Sequence, residues 1–178
     1  MSSTTLRHSI QVPLLLLVAL ALSSCGFHLR QNADLPASMQ RVHLSGSGGG
    51  SFQRELARAL ESAGVTVEDN AGAGIAELMV PTAAFNTDTL TSGGYARISE
   101  FAIHYTVRFG VDDAAGQVLV PLQSINMSRE YSYDASNAVG NASQVAQIQK
   151  SLENDMVQAI MFRLQAAGRH AAPAASTH

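Results

Sequence analysis

The stretch SEFAIHYTVRFGV, residues 99–111, decides the fold because its apolar and polar side chains alternate without a break. Alternation with a period of two places successive side chains on opposite faces of a β-strand. The apolar set comprises Phe101, Ile103, Tyr105, Val107, Phe109 and Val111, and the opposite set comprises Ala102, His104, Thr106 and Arg108. The pattern predicts a long strand with one face on a hydrophobic core and the other in water.

The next stretch, DDAAGQ (residues 112–117), predicts a hairpin turn in which Gly116 adopts a positive φ. The returning strand, residues 118–133, changes its alternation part of the way along. Its first apolar residues are Val118, Val120 and Leu122, whereas Ile125, Met127, Tyr131 and Tyr133 have the other parity. Since a shift of one residue exchanges the two faces of a strand, we expect a bulge or bend within residues 121–124.

The residues before the long strand predict a strand–helix–strand unit. Residues 38–46 have the pattern of a short strand. Residues 51–63 have the spacing of an amphipathic helix that is capped by Ser51 and ended by Gly64. Residues 65–69 are compatible with a further short strand.

The apolar run IAELMVPTAAF, residues 75–85, predicts another strand but is interrupted by Pro81. Proline has no backbone N–H, so it cannot complete the hydrogen-bond ladder of a central strand. We therefore predict that Pro81 marks either an edge strand or a β-bulge.

The last long pattern is helical. Asn141, with Gln144 three residues later, predicts a capping box at the start of the helix. The apolar stripe comprises Val145, Ile148, Leu152, Met156, Ala159, Ile160 and Leu164, and the opposite face comprises Gln147, Ser151, Asn154 and Gln158. Residues 168–178, GRHAAPAASTH, predict a disordered tail.

The order of these elements predicts the fold class. Two helices packed on one face of a roughly four-stranded mixed sheet would bury every apolar stripe in two layers. The first strand–helix–strand step is predicted to be a right-handed parallel crossover, and the remaining strands an antiparallel meander. The predicted fold is therefore an α+β two-layer sandwich.

The sequence offers no catalytic constellation. It contains no Gly-x-Ser-x-Gly, His-Glu-x-x-His or Cys-x-x-Cys motif. His28, His43 and His104 belong to separate elements and lack metal-ligand spacing, and Asp112 with Asp113 fits a solvated turn. We therefore predict that the protein is not an enzyme and has no metal or cofactor site.

The residues before Cys25 have the layout of a bacterial lipoprotein signal. A basic start is followed by the apolar run VPLLLLVALAL, residues 12–22, which is shorter than the roughly 20 residues of a membrane-spanning helix. LSSC, residues 22–25, matches the lipobox, in which the cysteine becomes the first mature residue and carries lipid. We expect removal of residues 1–24, diacylglycerol and an N-acyl chain on Cys25, and sorting to the outer membrane because Gly26 stands where Asp would favour inner-membrane retention. An ordinary signal peptide that leaves a free thiol is the alternative.

The charge content excludes one class of partner and suggests another. Only 14% of the residues are charged, compared with about 25% in a typical soluble domain. Residues 25–178 carry 10 of the 11 Lys and Arg residues and all 14 Asp and Glu residues, so no basic block for nucleic acid is present. A low surface charge fits either the compositional habit of an Ala-rich organism or a surface that lies inside another protein.

Four stretches resemble the LptE family of lipopolysaccharide-assembly lipoproteins. They are CGFHLR at residues 25–30, LPASMQRVHLSG at 35–46, REYSYDASNAVG at 129–140 and KSLENDMVQAIMFRL at 150–164. The resemblance extends over residues 25–167 and implies a single LptE-like α+β domain there.

The resemblance also implies a function and a binding site. Members of the family are lipid-anchored on the periplasmic side of the outer membrane. There they plug and help to assemble the LptD β-barrel, which delivers lipopolysaccharide to the outer leaflet. Binding of lipopolysaccharide through basic residues carries over to Lys150, which precedes the family's Asp-Met segment. It carries over more loosely to Arg97, whose spacing and neighbours differ, and we add Arg129 as a nearby cation.

Two other functional classes stay open at this point. One is a structural outer-membrane lipoprotein of a different envelope assembly, such as a secretion system, which co-purification would reveal. The other is a periplasmic lipoprotein enzyme whose site is not sequential. A pocket that places His104 or His43 beside a carboxylate would favour the enzyme.

Overall fold

A computed structural model describes residues 35–46, 50–91 and 98–171, in which every strand and both helices predicted above are present. The strands are β1 (Arg41–Gly46), β2 (Thr66–Glu68), β3 (Ala76–Thr91), β4 (Ile98–Asp112) and β5 (Val118–Asp134). Helix α1 is Gly50–Ser62, helix α2 is Ala138–Ala171, and a short 3₁₀ helix, Ala37–Met39, precedes β1.

The strands form one mixed sheet in the order β2-β1-β3-β4-β5. Strand β1 runs parallel to both β2 and β3, and β3, β4 and β5 form an antiparallel meander. The predicted parallel crossover and meander are both confirmed. The sheet has five strands rather than about four, because the three residues of β2 pair with β1 and form an edge.

The apolar face of β4 lies at the centre of the core. Its residues Ile103, Tyr105, Val107, Phe109 and Val111 are at most 2% exposed. The helices pack against this same face through Phe52, Leu56 and Leu60 of α1 and Leu152, Met156, Ile160 and Leu164 of α2. Full burial of each such side chain contributes about 1.5–3 kcal/mol. Both helices therefore lie on one side of the sheet, which confirms the two-layer α+β prediction.

Pro81 lies in a bulge of a central strand. The register between β3 and β4 shifts between Met79 and Thr82, which confirms the bulge, whereas the edge-strand alternative is wrong because β3 lies between β1 and β4. Strand β1 ends at Gly46, whose register partner is Val80. Pro81 thus follows immediately after Val80, which forms the last β1–β3 pair among the described residues.

The predicted irregularity in β5 is also present. Phe109 is opposite Gln123 while Val111 is opposite Val120, so β5 carries one extra residue within the predicted segment. A second extra residue, which the alternation does not indicate, lies between Val118 and Val120. As a result Val120 is buried, although its same-parity neighbours Val118 and Leu122 are 68% and 51% exposed.

Both predicted helix caps are wrong. Helix α1 starts at Gly50, and the Ser51 hydroxyl donates to Glu153 Oε1 at 2.9 Å instead of capping. Helix α2 starts at Ala138, and the side chain of Asn137 caps it by accepting a hydrogen bond from the N–H of Gly140 at 3.1 Å.

The other end of α2 extends into the segment predicted as a tail. The helix continues through Ala171, and residues 172–178 lie outside the described part of the chain. At Gly168 the helix approaches Pro36 so closely that an added Cβ would lie 3.0 Å from the proline Cδ. At about 1.5 Å per residue, the 34 residues of α2 span about 50 Å.

Candidate binding surfaces

The histidines considered for catalysis do not form a catalytic site. His104 Nε2 lies 3.3 Å from Asp88 Oδ2, but both side chains are about half exposed on a flat sheet surface. His43 borders an open hollow of about 390 Å³, where its Nδ1 lies 3.1 Å from the backbone oxygen of Glu68. The carboxylate of Glu68 accepts from Arg41 at 2.8 Å, so it is engaged elsewhere. Among the described residues, no three His, Cys, Asp or Glu side chains converge as metal ligands would.

The predicted lipopolysaccharide-binding cations lie apart from one another. Lys150 is exposed on α2 and forms no ion pair within the described ranges. Arg129, on β5, donates from Nη2 to Asp155 Oδ2 at 2.8 Å, and both of these side chains are 49% exposed. Five helical residues correspond to a rotation of about 140°, so Lys150 is directed away from the side of α2 that Arg129 contacts. Arg97 lies outside the described residues.

Two polar contacts that the sequence does not reveal attach β5 to α2. One is the pair of Arg129 with Asp155, and the other is a hydrogen bond of 2.6 Å from Arg163 Nη1 to Gln123 Oε1. The partners are 26 and 40 residues apart in the chain, so no local pattern brings them together. Arg129 is therefore engaged in the contact between β5 and α2. Lys150 forms no ion pair among the described residues.

The junction between β5 and α2 is fixed by Asn141. This side chain is 5% exposed, donates from Nδ2 to the backbone oxygen of Asp134 at 2.6 Å and accepts from its N–H at 3.2 Å. Ser136 donates to the Asp134 carboxylate through Oγ at 2.7 Å and through its N–H at 2.9 Å. These two bonds hold the pKa of Asp134 below its usual value by stabilising the charged form.

An aromatic cluster lies on the helix side of the sheet near this junction. Phe101 stacks on Tyr131 with ring centroids 5.6 Å apart and meets Tyr133 edge-on at 5.9 Å. Farther along the strands, Tyr105 stacks on Phe85 at 4.1 Å. Burial, with a smaller contribution from Glu153, raises the pKa of Tyr105 well above its usual value, so this hydroxyl stays protonated.

Helices α1 and α2 flank an open groove of about 420 Å³ that is lined mainly by polar side chains. Asn154 and Gln158, two residues of the predicted polar face of α2, line it opposite Glu55 and Arg58. Glu55 and Arg58 form an ion pair of 2.8 Å. The groove thus combines amide and paired charged groups without a catalytic arrangement.

The opposite surface of the sheet, away from both helices, consists of four cross-strand rows from β3, β4 and β5. The rows are Thr82–Arg108–Ser124, Ala84–Thr106–Asn126, Asn86–His104–Ser128 and Asp88–Ala102–Glu130, and together they define the open sheet face. Within it Thr106 Oγ1 donates to Asn126 Oδ1 at 2.8 Å, and Asn86 Nδ2 donates to Asp88 Oδ1 at 2.8 Å. Most of these side chains are small and uncharged.

The described part of the chain is a two-layer α+β domain with broad polar surfaces, and its His, Cys, Asp and Glu side chains form no group of three or more that could hold a metal ion. Among the described residues, neither helix has an apolar stretch long enough to cross a membrane.

The chain belongs to the LptE family of lipopolysaccharide-assembly proteins, whose family model matches residues 39–164. This confirms the resemblance seen in the sequence, and it confirms that the chain is not an enzyme. The LPS-assembly lipoprotein LptE of Photorhabdus laumondii is 30% identical over 87 residues, which are 48% of each chain. The chain therefore spans about half the length of this curated relative.

Solved lipoprotein structures share the fold. The solution structure of an uncharacterized lipoprotein B from Nitrosomonas europaea matches with a TM-score of 0.67 at 25% identity, covering 82% of this chain and 97% of that one. The rare lipoprotein B of Shewanella oneidensis matches with a TM-score of 0.63 at 18% identity, covering 73% and 97%. A minor lipoprotein of Acinetobacter baumannii gives 0.59 at 20% identity, covering 71% and 91%. These matches confirm the predicted α+β architecture.

Proposed function

We propose that this protein is an outer-membrane lipoprotein that plugs and helps to assemble an LptD-type β-barrel and takes part in delivering lipopolysaccharide to the outer leaflet. The observation that carries the proposal is the match to the LptE family over residues 39–164, which include both helices' core residues and all five strands. The LptD partnership and the contact with lipopolysaccharide come from the resemblance of the sequence to that family.

Lipid on Cys25 would hold the domain at the membrane. Ten residues lead from Cys25 to Leu35, where the described structure begins, and at 3.3–3.6 Å per residue they reach about 35 Å at most. Each buried CH₂ of an acyl chain contributes about 0.8 kcal/mol, so two or more chains anchor a protein stably. Cys25→Ser would release the protein from the membrane fraction, and full retention of that variant would contradict the lipid anchor.

The polar surface supports the role of a plug. The lumen of a large membrane barrel is lined by polar side chains, and a domain seated there needs polar groups without many charges to desolvate. Only 14% of the residues are charged, and the open sheet face and the α2 face with Gln147, Asn154 and Gln158 are mostly uncharged.

We assign the main contact with lipopolysaccharide phosphates to Lys150. Its ammonium group is exposed and has no acidic partner in the described ranges, whereas the guanidinium of Arg129 is occupied by Asp155 at 2.8 Å. A cation that is already solvated and unpaired can bind a phosphate without first losing a partner. In this mechanism Lys150, with Arg97 and Arg129 as supporting cations, loosens lipopolysaccharide aggregates while the domain directs substrate through the barrel.

The test of the binding role compares Lys150→Glu with Arg54→Glu. Both residues are exposed helical cations outside the ion pairs of the described residues, so the two variants change net charge equally. We expect Lys150→Glu to weaken binding of purified lipopolysaccharide at least fivefold and Arg54→Glu to leave it within twofold. Equal binding by both variants would remove Lys150 from the mechanism.

The test of the barrel role is affinity purification of tagged full-length protein from mild-detergent extracts of its native outer membrane. We expect a large β-barrel protein in one-to-one amount. Recovery of a different stoichiometric complex would instead favour a structural lipoprotein of another envelope assembly.

A further inference from the structure

The open sheet face is uncovered by any described element. Both helices pack on the other side of the sheet, where Phe52, Leu56 and Leu60 of α1 and the apolar stripe of α2 meet the apolar residues of β4. On the open side, Ala84, Asn86, Asn126 and Ser128 are exposed. A sheet usually exposes one face to water, so exposure alone does not identify an interface.

The arrangement of charge on this face is that of an interface. The two central rows, Ala84–Thr106–Asn126 and Asn86–His104–Ser128, contain no carboxylate, lysine or arginine. The charged side chains stand at the two ends: Asp88 and Glu130 in one outer row and Arg108 in the other. Protein interfaces have cores depleted of charge and polar, charged rims. Small side chains such as Ala, Ser and Thr also lose little conformational entropy on burial.

The face supplies part of the area that a stable contact needs. The four rows span residues 82–88, 102–108 and 124–130, and at about 3.4 Å per residue and about 4.8 Å between neighbouring strands they cover a projected area of roughly 350 Å². A standard specific interface buries about 800 Å² on each partner. The four rows therefore form a little under half of one such interface, and a contact of standard size would extend along the same strands beyond them.

The chemistry of the face selects its partner. Lipid tails and an obligate apolar dimer would need large apolar side chains, and the four rows contain none. A phosphate surface would need several cations, and Arg108 is the only lysine or arginine in the rows. Asp88 already contacts Asn86 and His104 within the face. A polar protein wall that offers a cation to Glu130 and an acceptor to Arg108 complements the remaining charged groups at the two ends.

We propose that the open sheet face, rather than the helix layer, lies against the polar inner wall of the β-barrel partner. This inference rests on the barrel role proposed above. The antiparallel strands of the face pack on the barrel strands as one sheet on another, at the usual separation of about 10 Å. In this orientation helices α1 and α2, with the groove between them, face the part of the barrel lumen through which substrate passes.

The matched variants Asn126→Lys and Asn154→Lys test this orientation. Both asparagines are exposed, the first in a central row of the open face and the second in the helix groove. In affinity purification from native outer membranes, Asn126→Lys is expected to lower the ratio of barrel to lipoprotein at least tenfold, and Asn154→Lys less than twofold. Wild-type ratios with both variants, or equal losses with both, would overturn the assignment of the sheet face.

A second measurement covers the case in which Asn126→Lys lowers the melting temperature of the domain. A photo-crosslinking amino acid is placed at Ser128 on the open face or at Ser143, an exposed residue of α2. The expected result is a barrel adduct from position 128 that exceeds the adduct from position 143 at least fivefold. The reverse order would overturn the inference, while absence of the barrel from the wild-type preparation would overturn the proposed function itself.

Discussion

The two faces of the sheet are built from alternate residues of the same strands, yet the side chains of one face are buried and those of the other are largely exposed. On the helix side, Val107 and Phe109 are fully buried, whereas their neighbours Thr106 and Arg108 lie on the open face. Since the backbone is common to both faces, the difference arises from what covers them. The residues of the covered face are constrained by packing against the helices, whereas those of the open face are not packed under any described element.

The largest expected difference between the faces is in stability. Phe109→Ala removes a side chain that is 0% exposed, and truncation of such a residue typically lowers the free energy of unfolding by about 3–5 kcal/mol. The control Arg108→Ala changes the next residue on the open face, where substitutions stay within about 0.5 kcal/mol. Urea denaturation followed by circular dichroism measures both. Similar losses would show that the open face is packed in the isolated protein.

A smaller loss of stability is expected when the backbone, rather than a side chain of either face, is disturbed. Gly46 has a φ of 135°, and a Cβ added there would overlap the carbonyl oxygen of Val80. Gly74 has a φ of 75° with nothing near an added Cβ. We expect Gly74→Ala to lower the free energy of unfolding by about 1–2 kcal/mol through its left-handed conformation, and Gly46→Ala to lower it further by forcing β1 from β3.

Equal losses in the two glycine variants would mean that the close approach of β1 and β3 relaxes without penalty. The same urea titrations decide the point. A loss confined to Gly46→Ala would instead indicate that the turn at Gly74 tolerates alanine.

The smallest effect is expected at the border of the covered face, where Arg129 meets Asp155. Both side chains are 49% exposed, and exposed ion pairs typically contribute at most about 1 kcal/mol. A double-mutant cycle of Arg129→Ala and Asp155→Ala should give a coupling free energy below that value, and smaller still in 1 M salt. A coupling of several kcal/mol would show that this pair contributes far more than an ordinary exposed ion pair. Arg129 would then be firmly held by Asp155, in contrast to Lys150.

The sequence predicts those parts of the fold that depend on neighbouring residues. Alternation in β4 assigns both of its faces, and the change of parity in β5 locates the bulge between Val120 and Gln123. Asn141 illustrates the limit, because Asn137 lies one helical turn earlier and has the same capping chemistry. Two contacts in the structure decide which of them is the cap: Asn137 accepts from the N–H of Gly140, whereas Asn141 bonds to the backbone of Asp134.

Features that depend on distant pairing are out of reach of such patterns. Pro81 is compatible with an edge or a bulge until the strand order places β3 between β1 and β4. The candidate binding surfaces follow the same division. The polar side of β4 is visible in the alternation, but the rows that join it to β3 and β5 require the register. Likewise, Lys150 and Arg129 are equivalent cations in the sequence and differ only because Asp155 is near one of them.

The contact between Pro36 and Gly168 has a kinetic consequence. It joins positions separated by 132 residues (168 − 36), whereas the β4–β5 hairpin closes across the short turn at Gly116. Contacts between distant residues must overcome a larger loop-closure entropy and form slowly. The segment that leads in from the N-terminus should therefore dock last, onto a sheet and helix that are already formed. Hydrogen exchange at Met39 during refolding would then report when the domain is complete, after protection has appeared in β4 and β5.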